Sequence, residues 1–303
     1  MSNENICSIC GGTLTSDGLC VNPNCELKVA NDILFEDDYV LHEIKFPEES
    51  GDFNKNYLEY LFTTLLHCLG NKAVFKGGYI LNKYIPSTRD TTDIDLSIGN
   101  ETDINLVYSV LRFIGDQFVE NKAANTYEIR ENISHTSSGR IKIELVDNTT
   151  VGIDVGLHDM TYGIHVMSEN NNSFNVFKLE RSLSDKISVL MSYKRFRRIK
   201  DLYDVAVIVK SCDLDYFGLR ECIQRRDNTI DWSMIPFDDN IVEQVMKAWS
   251  KFDIARLGVE GRVSPNFSAI EALDLFYTLI SPLAEGSTDN RRWNHVTKCW
   301  ELY

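Results

Sequence analysis

Between residues 54 and 69, apolar side chains recur at Tyr57, Leu58, Leu61, Phe62, Leu65 and Leu66, the spacing of one helical face. Gly70 is placed to stop that helix. Ala73-Val74-Phe75 reads as a short strand entering Gly77-Gly78, followed by a helix over Tyr79–Tyr84 that Pro86 ends. From Thr92 to Ile98 the period falls to two, with Ile94, Leu96 and Ile98 apolar, as in a strand. An amphipathic helix is expected over Asp103–Val119, with Asp103 or Thr102 as its cap. Three strand candidates follow, Thr126–Ile133, Arg140–Val146 and Val151–Leu157, and Phe174–Phe177 is a fourth. From Leu179 the pattern is helical, over Leu179–Tyr193, Phe196–Lys210, Asp239–Phe252 and Ser268–Ile280. The order predicts a mixed core over 54–178 and a helical domain over 179–303, preceded by a connector over 27–53 with some strand character at Asp38–Ile44.

Composition narrows this picture. Hydrophobic residues make up 43% of the 303, enough for real cores, and six prolines argue against general disorder. No apolar run is long enough to span a membrane, and the first residues lack a basic region and an apolar one. A cytoplasmic protein with reduced cysteines is the expectation. The net charge of −14 argues against broad nucleic-acid binding but leaves room for local basic patches. Glu26–Asp52 holds nine carboxylates against Lys28 and Lys45, whereas Lys194–Lys200 reads Lys-Arg-Phe-Arg-Arg-Ile-Lys. That run is either a solvated helix face or a contact for nucleotide or RNA phosphates.

Four of the eight cysteines fall in residues 1–26, as Cys7-x2-Cys10 and Cys20-x4-Cys25. Two close thiolate pairs on tight turns can complete a tetrahedral Zn2+ site, and Gly11-Gly12 and Asn22-Pro23-Asn24 supply such turns. With four cysteine ligands the metal is structural, a zinc-ribbon-like knuckle that depends on it for its fold. Four unrelated buried thiols are the bland alternative. Cys68, Cys212, Cys222 and Cys299 read as ordinary buried thiols, and the histidines show no ligand spacing.

The chemistry concentrates elsewhere. Asp93 and Asp95 are two apart on a strand, so both leave the same face. Paired carboxylates repel unless a cation sits between them, and nucleotidyl transfer uses two divalent ions to clamp the attacking and leaving oxygens. A third acid is expected from a neighbouring strand: Asp154 first, Glu144 second. Gly77-Gly78 stands at a strand-to-helix turn, where bare backbone can approach a triphosphate. Each feature is weak alone. Gly-Gly, fourteen residues, then Asp-x-Asp is far more specific.

Lys76-Gly77-Gly78 followed by Arg89-Asp90-Thr91-Thr92-Asp93-Ile94-Asp95 resembles the first motif of the AbiEii/AbiGii nucleotidyltransferase toxins, a branch of the DNA polymerase β-like superfamily. A second stretch, Ser184-Asp185-Lys186 and then Arg197-Arg198-Ile199-Lys200-Asp201-Leu202-Tyr203-Asp204, resembles the family's later helices. The resemblance spans about residues 54–285 and departs at Lys200-Asp201, where the family has Arg-Asp, and in the added knuckle.

It implies an α+β polymerase β-like core with a helical C-terminal domain. It also implies transfer of an NMP from an NTP to an acceptor hydroxyl, with Mg2+ (two ions, or Mn2+). Asp93, Asp95 and Asp154 would hold the metals. Lys76, Gly77, Gly78, Arg89, Thr92 and Asp201 would serve the nucleotide. Lys186 would offset phosphate charge, and Asp204 would orient Lys186 or the acceptor. The implied acceptor is the 3′ end of tRNA, with an antitoxin protein as partner; a protein hydroxyl is the next acceptor. The rival expectation is a non-enzymatic nucleotide-sensing or partner-binding module. For Lys186 the bland alternative is a solvated helix lysine; for Asp201 and Asp204 it is local pairing with Arg197, Arg198 or Lys200.

Overall fold

A computed structural model describes residues 44–47, 53–85, 91–134, 137–169, 172–192, 196, 198–226, 230, 232–235, 237–257 and 267–302. The four N-terminal cysteines, the connector with its expected strand up to residue 43, Pro86, Arg89 and Arg197 lie outside these residues. Among the described residues no helix is long and apolar enough to cross a membrane. The chain forms two compact units, one of residues 1–75, 91–160 and 167–175, the other of 76–90, 161–166 and 176–303.

In the first unit, α1 (Phe53–Leu69) buries the predicted stripe, with Leu61 and Leu65 fully enclosed. Gly70 then adopts φ 50°, a conformation side chains resist, and opens a 3₁₀ turn before β1 (Ala73–Lys76). The glycine pair opens α2 (Gly77–Tyr84), which belongs to the second unit. β2 spans Asp93–Ile98, and α3 spans Ile104–Glu120. The Asp103 carboxylate caps α3 by accepting the Asn105 N–H at 2.9 Å. β3 (Ala124–Arg130), β4 (Gly139–Leu145), β5 (Thr150–Leu157), β6 (Ile164–Glu169) and β7 (Asn172–Phe177) complete a seven-stranded sheet of order β3-β4-β5-β2-β1-β7-β6. β2 runs parallel to β5, whereas β3–β4 and β4–β5 are antiparallel. The fold is α+β.

One face of β2, β4 and β5 is sealed. Ile94, Leu96, Ile141, Ile143, Ile153 and Val155 are all fully buried, with α1 packed on β2 and β5 and α3 on β3 and β4. α3 comes so close that a Cβ on Gly115 would lie 2.7 Å from the Tyr127 ring of β3. Phe118 of α3 meets Phe46 and Tyr57 with ring centroids 5.1 Å away, and Tyr60 at 5.8 Å. Strict alternation sends the polar residues of these strands to the opposite face.

The second unit holds α4 (Leu179–Leu190), α5 (Ile199–Ser211), α6 (Tyr216–Arg226), α7 (Asp239–Leu257) and α8 (Ala269–Ala284) around one apolar cluster. It is mainly helical, as the sequence pattern predicts, with a small sheet added. β8 (Leu214–Asp215), β9 (Arg291–Asn294) and β10 (Cys299–Leu302) form a second sheet of order β10-β9-β8. Two to four residues are too few to establish a period of two, which is why these strands escape the pattern. α6 escapes it because Arg220, Glu221, Arg225 and Arg226 dilute its apolar stripe. β6 falls where the sequence pattern predicts no element. The helix expected from Phe196 begins at Ile199, since Phe196 takes φ 51° while its ring packs on Phe237 and Phe276. Trp293 of β9 is fully buried and donates its indole N–H to the Val209 carbonyl at 2.7 Å, satisfying an end group of α5.

Phe118→Ala is expected to lower the unfolding free energy by about 3–5 kcal/mol, read from urea melts. The neighbouring exposed Val119→Ala should stay within about 0.5 kcal/mol.

Candidate active site

The parallel register of β2 and β5 sets Asp95 beside Asp154 and Asp93 beside Gly152. Residues of equal parity share a face, so all three carboxylates leave the side of the sheet opposite the core. None is solvated freely: Asp93 and Asp95 are half-buried, and the Asp154 side chain is 26% exposed. Thr91 Oγ1 donates to Asp93 Oδ1 at 2.8 Å, which orients that carboxylate. Arg140, directly across from Asp154 on β4, holds its Nε 3.5 Å from Asp154 Oδ1. Thr92 contributes its carbonyl to the ladder, accepting the Gly152 N–H at 3.0 Å.

Gly152 matters on this face. A Cβ there would meet the Ile141 carbonyl oxygen at 2.8 Å, so the close β4–β5 approach excludes a side chain. Its absence leaves space next to Asp93. Glu144 leaves the same face but pairs with Thr150, two residues along β5 from Gly152. That offset, with two strand spacings across, puts it about 12 Å from Asp93.

Among the described residues no three His, Cys, Asp or Glu side chains close into a metal cage. The three aspartates instead form an open edge: two carboxylates on one strand and one beside them on the next. Open edges suit Mg2+, which keeps several waters and is bound by one or two carboxylates together with substrate phosphates. The donor set, all hard oxygens, fits that ion.

Sequence reasoning gives His158 no role. Its Nδ1 lies 3.1 Å from the hydroxyl oxygen of fully buried Ser97, one alternation beyond Asp95. Its ring occupies the space above Gly156, where a Cβ would meet Cε1 at 2.4 Å. Gly152 and Gly156 flank Asp154 at period two, and that Gly-x-Asp-x-Gly pattern was the available signal.

The second unit carries the other predicted residues. Gly77 has φ 74°, which a side chain would resist, and Lys76 ahead of it is extended, with its ammonium 5.4 Å from the Phe177 ring centroid. Lys186 of α4 is not a solvated lysine: its side chain is 12% exposed, and its Nζ donates to Asp204 Oδ2 at 2.7 Å and lies 3.4 Å from Asp201 Oδ1. Both partners sit on α5, with side chains 0% and 3% exposed. Arg198 Nε reaches Asp201 Oδ2 at 3.0 Å, at ion-pair distance but without hydrogen-bond alignment. Asp201 thus does make the local pair with Arg198, alongside the contact with Lys186. Among the described residues two cations stand against these two buried carboxylates. Of the remaining cysteines only Cys222 is buried; Cys68, Cys212 and Cys299 are half-buried. Burial pushes the Cys68 thiol up to about 12, far from a reactive thiolate at neutral pH.

Replacing Lys186 by Met would take its ammonium away from buried Asp204 and leave Asp201 with the Arg198 contact. The expected cost is about 3–5 kcal/mol of unfolding free energy in urea melts; a melt equal to the parent would show that the carboxylates find other cations.

The chain has relatives among known proteins, although comparison with curated protein sequences returns no match. Among solved structures, JHP933 from Helicobacter pylori is 16% identical, with 78% of this chain and 94% of that one covered at a TM-score of 0.45. MenT4, a nucleotidyltransferase toxin from Mycobacterium tuberculosis H37Rv, is 15% identical, covering 64% of this chain and 72% of that one at a TM-score of 0.40. The profile described as "Nucleotidyl transferase AbiEii toxin, Type IV TA system" matches residues 60–257, most of both units. The chain belongs to the AbiEii family of nucleotidyltransferase toxins of type IV toxin–antitoxin systems.

Proposed function

We propose that this nucleotidyltransferase is Mg2+-dependent and moves an NMP from an NTP to the 3′-terminal hydroxyl of an RNA, with tRNA as the acceptor and an antitoxin protein as its partner. The observation that supports the reading most is the register that pairs Asp95 with Asp154. It gives a carboxylate on each of two adjacent strands, beside Asp93, on an open face. When bound there, divalent metal would offset charge on the triphosphate and on the departing pyrophosphate. Asp93 and Asp95 would hold both ions, and Asp154 the one nearer the acceptor.

The acceptor oxygen forms its bond to the α-phosphorus as the bond to the β-phosphate oxygen breaks. Pyrophosphate leaves, and the hydroxyl proton passes to the Asp154 carboxylate and on to water. Thr91 fixes the Asp93 carboxylate for this work. The family's motif order assigns Lys76, Gly77 and Gly78, with Arg89, Thr92 and Asp201, to the nucleotide, and Lys186 to phosphate charge. Asp204 is then a positioning residue, holding Lys186 through the 2.7 Å contact. A divalent ion near Asp154 would also weaken the long Arg140 pair, which is exposed enough to break at little cost.

The four-cysteine segment is proposed to bind one structural Zn2+ through Cys7, Cys10, Cys20 and Cys25. Purified chain should hold about one zinc per molecule by metal analysis, and Cys7→Ser with Cys10→Ser should lose it.

The transfer itself is tested with labelled NTPs and total RNA. Asp93→Asn and Asp95→Asn should each cut label transfer by about 10²–10⁴-fold, the worth of several kcal/mol of transition-state charge stabilisation. Chelation with EDTA should abolish transfer and added Mg2+ restore it. Label transfer that persists in both variants, or label found only on protein, would overturn the proposal.

A further inference from the structure

The alternation that exposes the three aspartates does not stop at β5. Asp154 faces Arg140 across β4, and Arg140 faces Arg130 across β3. One alternation away, Gly152 faces Lys142, which faces Glu128. Directly opposed residues of an antiparallel pair share a face. Arg130, Arg140 and Lys142 therefore line the same side of the sheet as Asp93, Asp95 and Asp154. All three are exposed.

Folding alone gives little reason for this arrangement. Two arginines directly across a strand pair repel, and the chain has carboxylates in excess to separate them. Among the described residues neither Arg130 nor Lys142 forms an ion pair. Arg140 has only the 3.5 Å contact to Asp154, with its own side chain 46% exposed. Such a pair in water contributes little. An anion lying across the two arginines removes their repulsion, and a string of anions suits a row that starts at the carboxylate edge. The row's reach is short: Arg140 is one strand spacing from Asp154 and Arg130 two, about 5 and 10 Å. That length fits the last one or two phosphates behind a terminal hydroxyl.

We propose that the outer face of β4 and β3 is the track for the acceptor. The sugar–phosphate backbone of an RNA 3′ end crosses Arg130, Arg140 and Lys142, which delivers its terminal hydroxyl to the Asp95–Asp154 edge. The proposal rests on the reading of RNA as acceptor. The charge is local, which reconciles RNA binding with a chain of net charge −14. Binding there is backbone contact without base readout, so it fixes position along the strand and not sequence.

The test uses the full chain in EDTA without NTP and measures binding of fluorescently labelled total tRNA by anisotropy across a salt series. The double variant Arg130→Glu, Lys142→Glu changes only exposed side chains, and its urea melt should match the parent. Its affinity should fall by about tenfold or more at low salt, and the slope of log affinity against log salt should flatten by about 1.4, the share of two single-strand phosphate contacts. Arg130→Lys should retain most of the binding. Parental affinity and slope in the folded double variant would overturn the proposal. So would loss of polyglutamate binding with tRNA binding intact, which would make the face a site for an acidic protein. The two readings fail separately. No Asp95-dependent transfer to any RNA, with tRNA binding still lost in the double variant, removes the transfer reading and keeps the track. Asp95-dependent RNA transfer with unchanged tRNA binding in the double variant does the reverse.

Discussion

The pairing of β2 with β5 is the constraint on which the carboxylate edge depends. It is held by burial and not by the acids themselves, which repel. Ile94, Leu96, Ile153 and Val155 are each fully buried against α1 and its neighbours, and each contributes about 1.5–3 kcal/mol relative to exposure. A slip of β5 by one residue would send Ile153 and Val155 to the open face and Asp154 to the sealed one. Exposing two fully buried apolar side chains at once costs more than two half-buried carboxylates gain by moving apart. The core therefore enforces a juxtaposition that electrostatics alone would refuse.

The second unit solves a different problem with the same charges. Asp201 and Asp204 are enclosed on α5, and Lys186 and Arg198 supply the opposite sign. Removing one partner from such a set costs more than the set contributes, because the survivor stays buried. Its main product is geometry. An ammonium held between two carboxylates on the next helix has little freedom, and α4 and α5 are tied in register by it. The half-buried trio and the buried pair on α5 show two ways in which the fold keeps acidic residues away from bulk water.

Much of this was legible in the chain. Period two in Asp93–Ile98 and in Val151–Leu157 placed both acidic strands, and parity alone put Asp93 and Asp95 on one face. Where Asp154 and Glu144 stand relative to Asp93 was not legible in either strand's pattern, since both alternate correctly; their positions follow from the strand order and register, which are long-range facts. His158 was missed for a similar reason, as its partner Ser97 lies sixty-one residues earlier. The short strands β8, β9 and β10 were missed because so few residues establish no period. α6 was missed because its charged residues hide its buried side. The basic row of Arg130 and Arg140 is invisible in sequence, being assembled from two strands.

The contact between Trp293 and the Val209 carbonyl joins residues eighty-four positions apart. Val209 is fully buried at the end of the helix that carries Asp201 and Asp204. During synthesis at about 5–20 residues per second, that carbonyl waits roughly 4–17 s for its donor. Until the indole emerges, the C-terminal end of α5 has a polar group that its finished surroundings would leave dry. The charged residues at the helix's other end, Lys186, Arg198, Asp201 and Asp204, are all synthesised before Val209, so the two ends of one helix find their partners seconds apart.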